Sequence, residues 1–202
     1  MTLMAKIRRF LVILNLWRVV PAYLLFLTNK FRDKCEKDLQ VWVEYEAEAC
    51  QKSRLLRFGY FMVNCKECRN IFLNRLRRNP VMYLTVRVLF PPLESCYVSM
   101  PPEELGGGFS LEHGFASIIS AKSMGEYCRV NQQVTIGHVG QKAPVIGNHV
   151  LITAGAIVVG DIHVGDGAII GAGAVVVKDV PANATVVGNA ARVVKIRTPG
   201  NP

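Results

Sequence analysis

Aliphatic side chains recur at every sixth residue along the second half of this 202-residue chain. The series runs unbroken through VLITAGAIVVGDIHVGDGAIIGAGAVVV, residues 150–177, and a four-residue insertion separates its earlier members from its later ones. Its ten positions are Ile118, Met124, Val130, Ile136, Ile146, Ile152, Val158, Val164, Ile170 and Val176. A repeat of this kind indicates stacked units, none of which can bury its apolar residue alone. Three such units make one triangular coil of short strands.

Glycine follows the aliphatic residue at several of these positions and gives the backbone the freedom to turn a corner. This hexapeptide pattern resembles the left-handed parallel β-helix of the hexapeptide acyltransferases. A disordered Gly/Ala-rich segment would not hold ten aliphatic residues in register. We therefore expect an α+β chain, in which an N-terminal helical region precedes a left-handed parallel β-helix over 106–196, with residues 197–202 as a tail.

The net positive charge of the chain lies in its first half. Residues 1–90 contain 17 Lys and Arg against 7 Asp and Glu, a balance of +10, whereas residues 91–202 contain 7 against 8, a balance of −1. The first ninety residues are predicted to form a basic helical region, and the proline-flanked residues 91–105 a linker. Arg75, Arg77 and Arg78 suggest a solvated or lipid-facing basic face, because no nucleic-acid-binding motif accompanies them.

Residues 5–30 contain an apolar run that Asn15, Arg18 and Pro21 interrupt. A central Arg costs about 2.5–3.5 kcal/mol in a spanning helix, so spanning is disfavoured. Two interpretations remain open: an interfacial helix on an anionic membrane, or a helix packed on its own domain or a partner subunit. The segment lacks the pattern of a signal peptide, which favours a cytoplasmic protein, peripheral on the inner face of the cytoplasmic membrane in the first interpretation.

No metal site is expected. The six cysteines are scattered, and the single C-x-x-C at Cys65 and Cys68 has neither a second pair nor a nearby His. The four histidines also lack the spacing of a three-His zinc site.

Several motifs together resemble the serine acetyltransferase family. They are LEHGFASII at 111–119, VNQQVTIG at 130–137 and VVVKDVPANATVVGNAARVV at 175–194. The helical LWRVVPAYLL at 16–25 is similar to the N-terminal helix of the subgroup encoded with bacterial capsule and exopolysaccharide genes. The resemblance is strong over residues 106–196 and loose over the helical half.

The resemblance implies an acetyl-CoA-dependent O-acetyltransferase without a metal, in which Glu112 and His113 occupy the place of the catalytic acidic–His pair. A base is needed to take the proton from the attacking hydroxyl, and imidazole, with an ordinary pKa of about 6.5, suits that task near neutral pH. Glu112, or a backbone carbonyl, would hold the imidazole tautomer and stabilise the imidazolium. Transfer would be direct, without an acyl-enzyme.

The resemblance also implies a homotrimer that binds coenzyme A along grooves between subunits. The positions that match the family's pantetheine-binding stretches are Thr153, Ala154, Gly171 and Ala172. Lys178 and Arg192 are the cations placed to meet the phosphates.

The acceptor is left open by two departures from the family pattern. VSMP at 98–101 replaces an Asp-x-His-Pro motif, and KAP at 142–144 replaces Arg-His-Pro. Gln132, His138 and Lys142 are the acceptor-site candidates. A sugar hydroxyl in cell-surface polysaccharide synthesis is favoured over L-serine, and a non-catalytic hexapeptide scaffold is the third alternative.

Overall fold

The computed structural model describes residues 3–45 and 53–197. Six α-helices come first: α1 Leu3–Leu14, α2 Leu16–Thr28, α3 Arg32–Tyr45, α4 Arg54–Asn64, α5 Lys66–Leu76 and α6 Pro80–Leu89. Fourteen short strands follow, so the α+β expectation is confirmed.

The strands form three sheets that are the faces of a triangular prism. Sheet 1 contains β1 Cys96–Val98, β3 Ser117–Ile119, β6 Thr135–Gly137, β9 Ile157–Val159 and β12 Val175–Val176. Sheet 2 contains β4 Ser123–Met124, β7 Val145–Ile146 and β10 His163–Val164. Sheet 3 contains β2 Ser110–Leu111, β5 Arg129–Val130, β8 Leu151–Ile152, β11 Ile169–Ile170, β13 Ala184–Val187 and β14 Arg192–Ile196. All strand pairings are parallel except that of β13 with β14. The stacked parallel strands form the predicted left-handed parallel β-helix.

The six-residue register is correct at nine of its ten positions and wrong at the first. The other nine side chains are buried, but Ile118 is 46% exposed and its neighbour Ile119 is fully buried. Ile119 stacks on Ile136 of the next coil. Strand β3 is therefore one residue out of step, because Ile119 lies 17 residues before its partner Ile136 in β6, whereas paired residues of β8 and β11 are 18 apart.

The N-terminal apolar segment is two helices rather than the single helix expected over 5–30. Helices α1 and α2 meet at Asn15 at an angle of 77°. The Asn15 side-chain amide donates to the Leu11 carbonyl at 2.7 Å, which ends α1, and the Asn15 carbonyl accepts from the first turn of α2. No single helix in the described ranges is long and apolar enough to cross a membrane, although this bent pair meets the length and composition criteria together.

A buried ion pair joins the helical region to the first coil. Arg75 and Asp38 are fully buried, with Arg75 Nε 3.0 Å from Asp38 Oδ2. Arg75 also donates to the carbonyls of Leu105 and Gly106, at 2.7 and 2.6 Å, and the Phe109 amide donates to Asp38 at 2.9 Å. The expected basic face at Arg75, Arg77 and Arg78 therefore loses its first member, which neutralises a buried carboxylate instead.

The segment expected to be a linker, 91–105, carries the first strand of the prism. Strand β1 pairs in parallel with β3, and Leu105 forms an isolated bridge with Met124. The helices thus pack directly against the first coil. Of the expected tail, only Arg197 lies within the described residues, and its amide donates to the Asn183 carbonyl.

Candidate active site

One edge of the prism carries most of the residues proposed from the sequence. We call the corner that leads from sheet 3 to sheet 1 the first edge; it comprises residues 112–116, 131–134, 153–156 and 171–174 in successive coils. Its turns are joined by backbone hydrogen bonds from Gln133 to Phe115, from Gly155 to Gln132 and from Gly173 to Ala154, all between 2.9 and 3.0 Å. The candidates on this edge are Glu112, His113, Gln132, Thr153, Ala154, Gly171 and Ala172.

His113 begins this column at its first coil. Its φ is +52°, a left-handed conformation that His adopts more readily than most side chains. The Phe115 amide donates to the His113 carbonyl at 2.6 Å, which closes a tight turn. The imidazole is exposed to solvent. The turn fixes the backbone of His113. Its imidazole is open to solvent and can receive a proton from a bound hydroxyl.

Glu112 does not bind the imidazole as expected. Its carboxylate forms an ion pair with Arg129 of the next coil, and its backbone amide donates to the Val130 carbonyl at 2.9 Å. Arg129 thus fixes the acidic member of the Glu-His pair beside the exposed ring. Arg129 was not predicted from the sequence, because no motif or spacing marks its role and only its charge hints at it.

A cavity of about 440 Å³ opens beside His113, between the helices and the first coil. Helices α4 and α5 supply part of its wall, with Glu67 Cγ only 3.4 Å from the point where a Cβ on Gly114 would lie. Within the described part of the chain, no lysine or arginine lines it. Those residues are Trp42, Phe61, Asn64, Cys65, Glu67, Cys68, Ser110, Leu111, Glu112 and His113.

The helical half of this wall was not predicted. Asn64 and Glu67 lie more than forty residues before His113 in the sequence, and they reach it because α4 and α5 pack against the first coil. No local pattern in the sequence could have shown that contact.

Farther along the first edge the surface is built of small groups. Thr153 is committed to the backbone, since its hydroxyl donates to the Ile170 carbonyl at 2.7 Å. Gly171 has no room for a side chain, because a Cβ there would be 2.6 Å from Val187 Cγ1. Ala172 is exposed, and the Gln132 Oε1 is buried without a hydrogen-bond partner among the described residues. An extended ligand can therefore lie close to the backbone here.

His138 and Lys142 lie on a different edge, between sheets 1 and 2. The four-residue insertion projects there as a loop, in which Val139 and Lys142 form an antiparallel bridge. His138 Nε2 is 2.9 Å from Ser120 Oγ, and Lys142 Nζ is 2.8 Å from Asp161. Within one chain these two candidates are not beside His113.

Lys178 and Arg192 come together near the C-terminal end of the prism. Both line one cavity of about 240 Å³ with Ala190 and Ala191. Both residues are exposed. This places two positive charges at one end of the molecule, where a phosphate group can reach them.

Buried thiols and metal ligands supply no alternative chemistry within the described residues. Burial raises the pKa of the Cys128 thiol to about 11, so it is protonated at neutral pH and a poor nucleophile. Among residues 3–45 and 53–197, no cluster of His, Cys, Asp and Glu could hold a metal ion.

This geometry defines a hexapeptide-repeat β-helix protein with a solvent-exposed His at its first coil. Comparison with known proteins agrees with that class. No protein-family model matches the chain. It is 40% identical over 99 residues to a serine acetyltransferase of Synechococcus elongatus, covering 46% of this chain and 41% of that protein. It is 36% identical over 132 residues to the putative colanic acid biosynthesis acetyltransferase WcaB of Escherichia coli K12, covering 62% of this chain and 78% of WcaB.

Among solved structures, the serine acetyltransferase of Brucella abortus in complex with coenzyme A superposes with a TM-score of 0.59 at 25% identity, covering 84% of this chain and 69% of that one. The chain belongs to the serine acetyltransferase-like family of hexapeptide-repeat acetyltransferases. It spans about two fifths of the length of the Synechococcus protein.

Proposed function

We propose that the chain transfers an acetyl group from acetyl-CoA directly to a hydroxyl group, with His113 as the general base. The observation that carries the proposal is the first edge, where an exposed imidazole begins a column of small residues. The hydroxyl oxygen attacks the thioester carbonyl, the hydroxyl proton moves to His113, and the carbon–sulfur bond breaks. The sulfur then takes the proton back from the imidazolium and leaves as the free thiol.

Glu112 and Arg129 act as positioning residues in this proposal. Their ion pair holds the carboxylate of Glu112, the residue that precedes His113. The negative charge of this carboxylate stabilises the imidazolium that forms. Gln132, one coil farther along the same edge, has a buried amide oxygen without a partner among the described residues, which a rotation of the side chain would present to the substrates.

Coenzyme A would lie along the first edge, with its arm over Thr153, Ala154, Gly171 and Ala172. Its phosphates would meet Lys178 and Arg192, which face one cavity at the end of the prism. We further propose a homotrimer in which this groove is completed by an adjacent subunit. Exposed apolar residues on the prism, among them Val139 and Ile157, are surfaces that such an assembly would cover.

The donor site is tested by thermal unfolding with coenzyme A. A ligand at about a hundred times its Kd stabilises the folded state by about 2.7 kcal/mol, which for a chain of this size raises Tm by about 5 °C or more. Ala172→Phe should remove the shift because the ring blocks the groove. Ala182→Phe, also exposed but on another corner of the prism, is the matched control and should keep it. A shift that survives Ala172→Phe would contradict this placement.

The acceptor is proposed to be a sugar hydroxyl in cell-surface polysaccharide synthesis. The cavity beside His113 presents the carboxylate of Glu67, the Arg129-paired carboxylate of Glu112 and the amide of Asn64, and no lysine or arginine of the described residues lines it. The carboxylate of L-serine would be repelled there, whereas the hydroxyls of a neutral sugar can donate to all three groups. The similarity to WcaB, named for colanic acid biosynthesis, supports the same class.

L-serine is the second candidate acceptor, because the Synechococcus relative is named a serine acetyltransferase. Serine would need a cation for its carboxylate. Lys142 is engaged by Asp161 on a different edge of the same chain, so only a neighbouring subunit could bring it to the cavity.

A further inference from the structure

Large apolar side chains are exposed in stripes on three helices of the N-terminal region. On α2 the stripe is Trp17, Val20 and Leu24, and on α6 it is Val81, Leu84 and Val88, both with i, i+3, i+7 spacing. Helix α1 continues the pattern with Leu3, Ile7, Phe10 and Leu14. Trp17 is 72% exposed, Val81 73% and Val88 71%. We call these three stripes together the apolar face.

The apolar face belongs to helices that are firmly packed on their other side. Val12 of α1, Val19 and Phe26 of α2 and Val86 of α6 are buried in the core. Helices α2 and α6 are linked by a hydrogen bond of 3.0 Å from Arg18 to the Leu89 carbonyl. The apolar face is therefore held in place by the core. It carries rows of large apolar side chains, whereas ordinary protein surfaces expose such residues singly.

The helices that carry this face are positively charged. Residues 1–31 and residues 69–93, which contain α1, α2 and α6, include ten lysines and arginines and no aspartate or glutamate, although Arg69 and Arg75 are buried and Arg78 is paired with Glu103. Lys6, Lys30 and Arg87 are exposed on these helices or at their ends. An apolar helical surface flanked by exposed cations is complementary to an anionic lipid surface.

We propose that the apolar face docks the protein on an anionic lipid bilayer, with α1, α2 and α6 lying in the headgroup region. A second copy of the chain is a poorer occupant, because a symmetric contact would bring the same cations of both copies together with no acidic group on these helices to offset them. The 77° bend between α1 and α2 suits two short helices that lie in a surface. This inference is independent of the proposed enzymatic activity.

The two tryptophans allow a direct measurement with the full chain. Trp17 is exposed, whereas Trp42 is buried with its ring N–H donating to the Phe109 carbonyl. Vesicles of phosphatidylcholine with roughly 30% phosphatidylglycerol should shift tryptophan emission to shorter wavelength and pull the protein into the pellet. Pure phosphatidylcholine should do neither, and Trp17→Phe should abolish the emission shift.

Two sets of surface variants test the apolar residues and the cations of this region. Leu84→Glu combined with Val88→Glu should weaken partitioning about tenfold or more. Val194→Glu, equally exposed but on β14, is the control and should have no effect. Lys6→Gln with Lys30→Gln should weaken partitioning roughly tenfold, and Lys122→Gln on the prism should not.

Raising the salt concentration should weaken binding of the unaltered protein, because screening shortens the range of its charges. Equal binding to neutral and anionic vesicles would overturn the proposal. A protein that binds neither vesicle and sediments as a larger assembly, which Leu84→Glu with Val88→Glu dissociates, would also overturn it. A second copy would then cover the apolar face.

Discussion

At the scale of single residues, the corners of the prism decide which side chains are displayed. Several non-glycine residues adopt a left-handed conformation there: His113, Ala116, Tyr127, Gln133, His149 and Asn183. Left-handed backbone is strained for most residues and is common near functional sites. Only His113 among these combines that conformation with a cavity that also holds Glu112 and Glu67.

His113 is expected to be far more important for catalysis than His138. His113→Ala should lower acetyl transfer by about 10²–10⁴-fold, the usual contribution of a general base, while coenzyme A binding remains nearly intact. His138→Ala should cost less than about tenfold, because its ring is bound to Ser120 on a different edge. Steady-state kinetics with both variants, and coenzyme A titration of each, make the comparison. An inactive His138→Ala beside an active His113→Ala would move the site to the edge between sheets 1 and 2.

At the scale of strands, a one-residue shift distinguishes the first coil from the rest. The six-residue period predicted the buried residue correctly in the later coils and named Ile118 rather than Ile119 in the first. The shift arises between β3 and β4, where the buried Ile119 and Met124 are five residues apart instead of six. A repeat read from the sequence cannot show such a slip, since both candidate residues are isoleucine.

The corrected register predicts opposite outcomes for two neighbouring substitutions. Ile119→Ala should lower the free energy of unfolding by about 2–5 kcal/mol, because it leaves a cavity between coils. Ile118→Ala should change it by less than about 0.5 kcal/mol, since that side chain faces outward. Denaturant unfolding of the two proteins under the same conditions decides between the registers, and a reversal of the order would restore the original assignment.

The sequence predicted the parts of the molecule that repeat and missed those that depend on distant contacts. The prism followed from hexapeptide spacing, and the placement of His113 and Glu112 from resemblance to a family. The bend at Asn15, the pairing of Glu112 with Arg129 and the helical wall of the cavity all arise from packing between segments far apart in the chain. No local period encodes such contacts.

At the scale of the whole molecule, one buried ion pair holds the helices on the prism. Asp38 of α3 and Arg75 of α5 make three further hydrogen bonds with residues 105–109, and both side chains are excluded from solvent. This junction fixes the helical wall of the cavity relative to His113. Site geometry and domain attachment therefore depend on the same pair.

Arg75→Met should destabilise the protein by about 3–5 kcal/mol, because it strands a buried carboxylate, and should lower Tm by about 10 °C. Arg77→Met is the matched control, since Arg77 is exposed and its side chain donates to the Val98 carbonyl. A double variant, Asp38→Leu with Arg75→Met, should recover part of the loss, because neither charge then remains buried. Thermal unfolding of the three variants measures this, and equal melting of Arg75→Met and Arg77→Met would contradict the role of the pair.

The central claim is that this molecule acetylates a sugar hydroxyl with acetyl-CoA. Its most direct test is thiol release from acetyl-CoA by the full chain, measured with L-serine and with a panel of free, nucleotide-activated and lipid-linked sugars. We predict release that saturates with at least one sugar and a kcat/KM for L-serine lower by at least about a hundredfold, since no lysine or arginine of the described residues lines the cavity to bind the amino acid's carboxylate. Efficient, saturable turnover of free L-serine with no activity on any sugar would contradict the account.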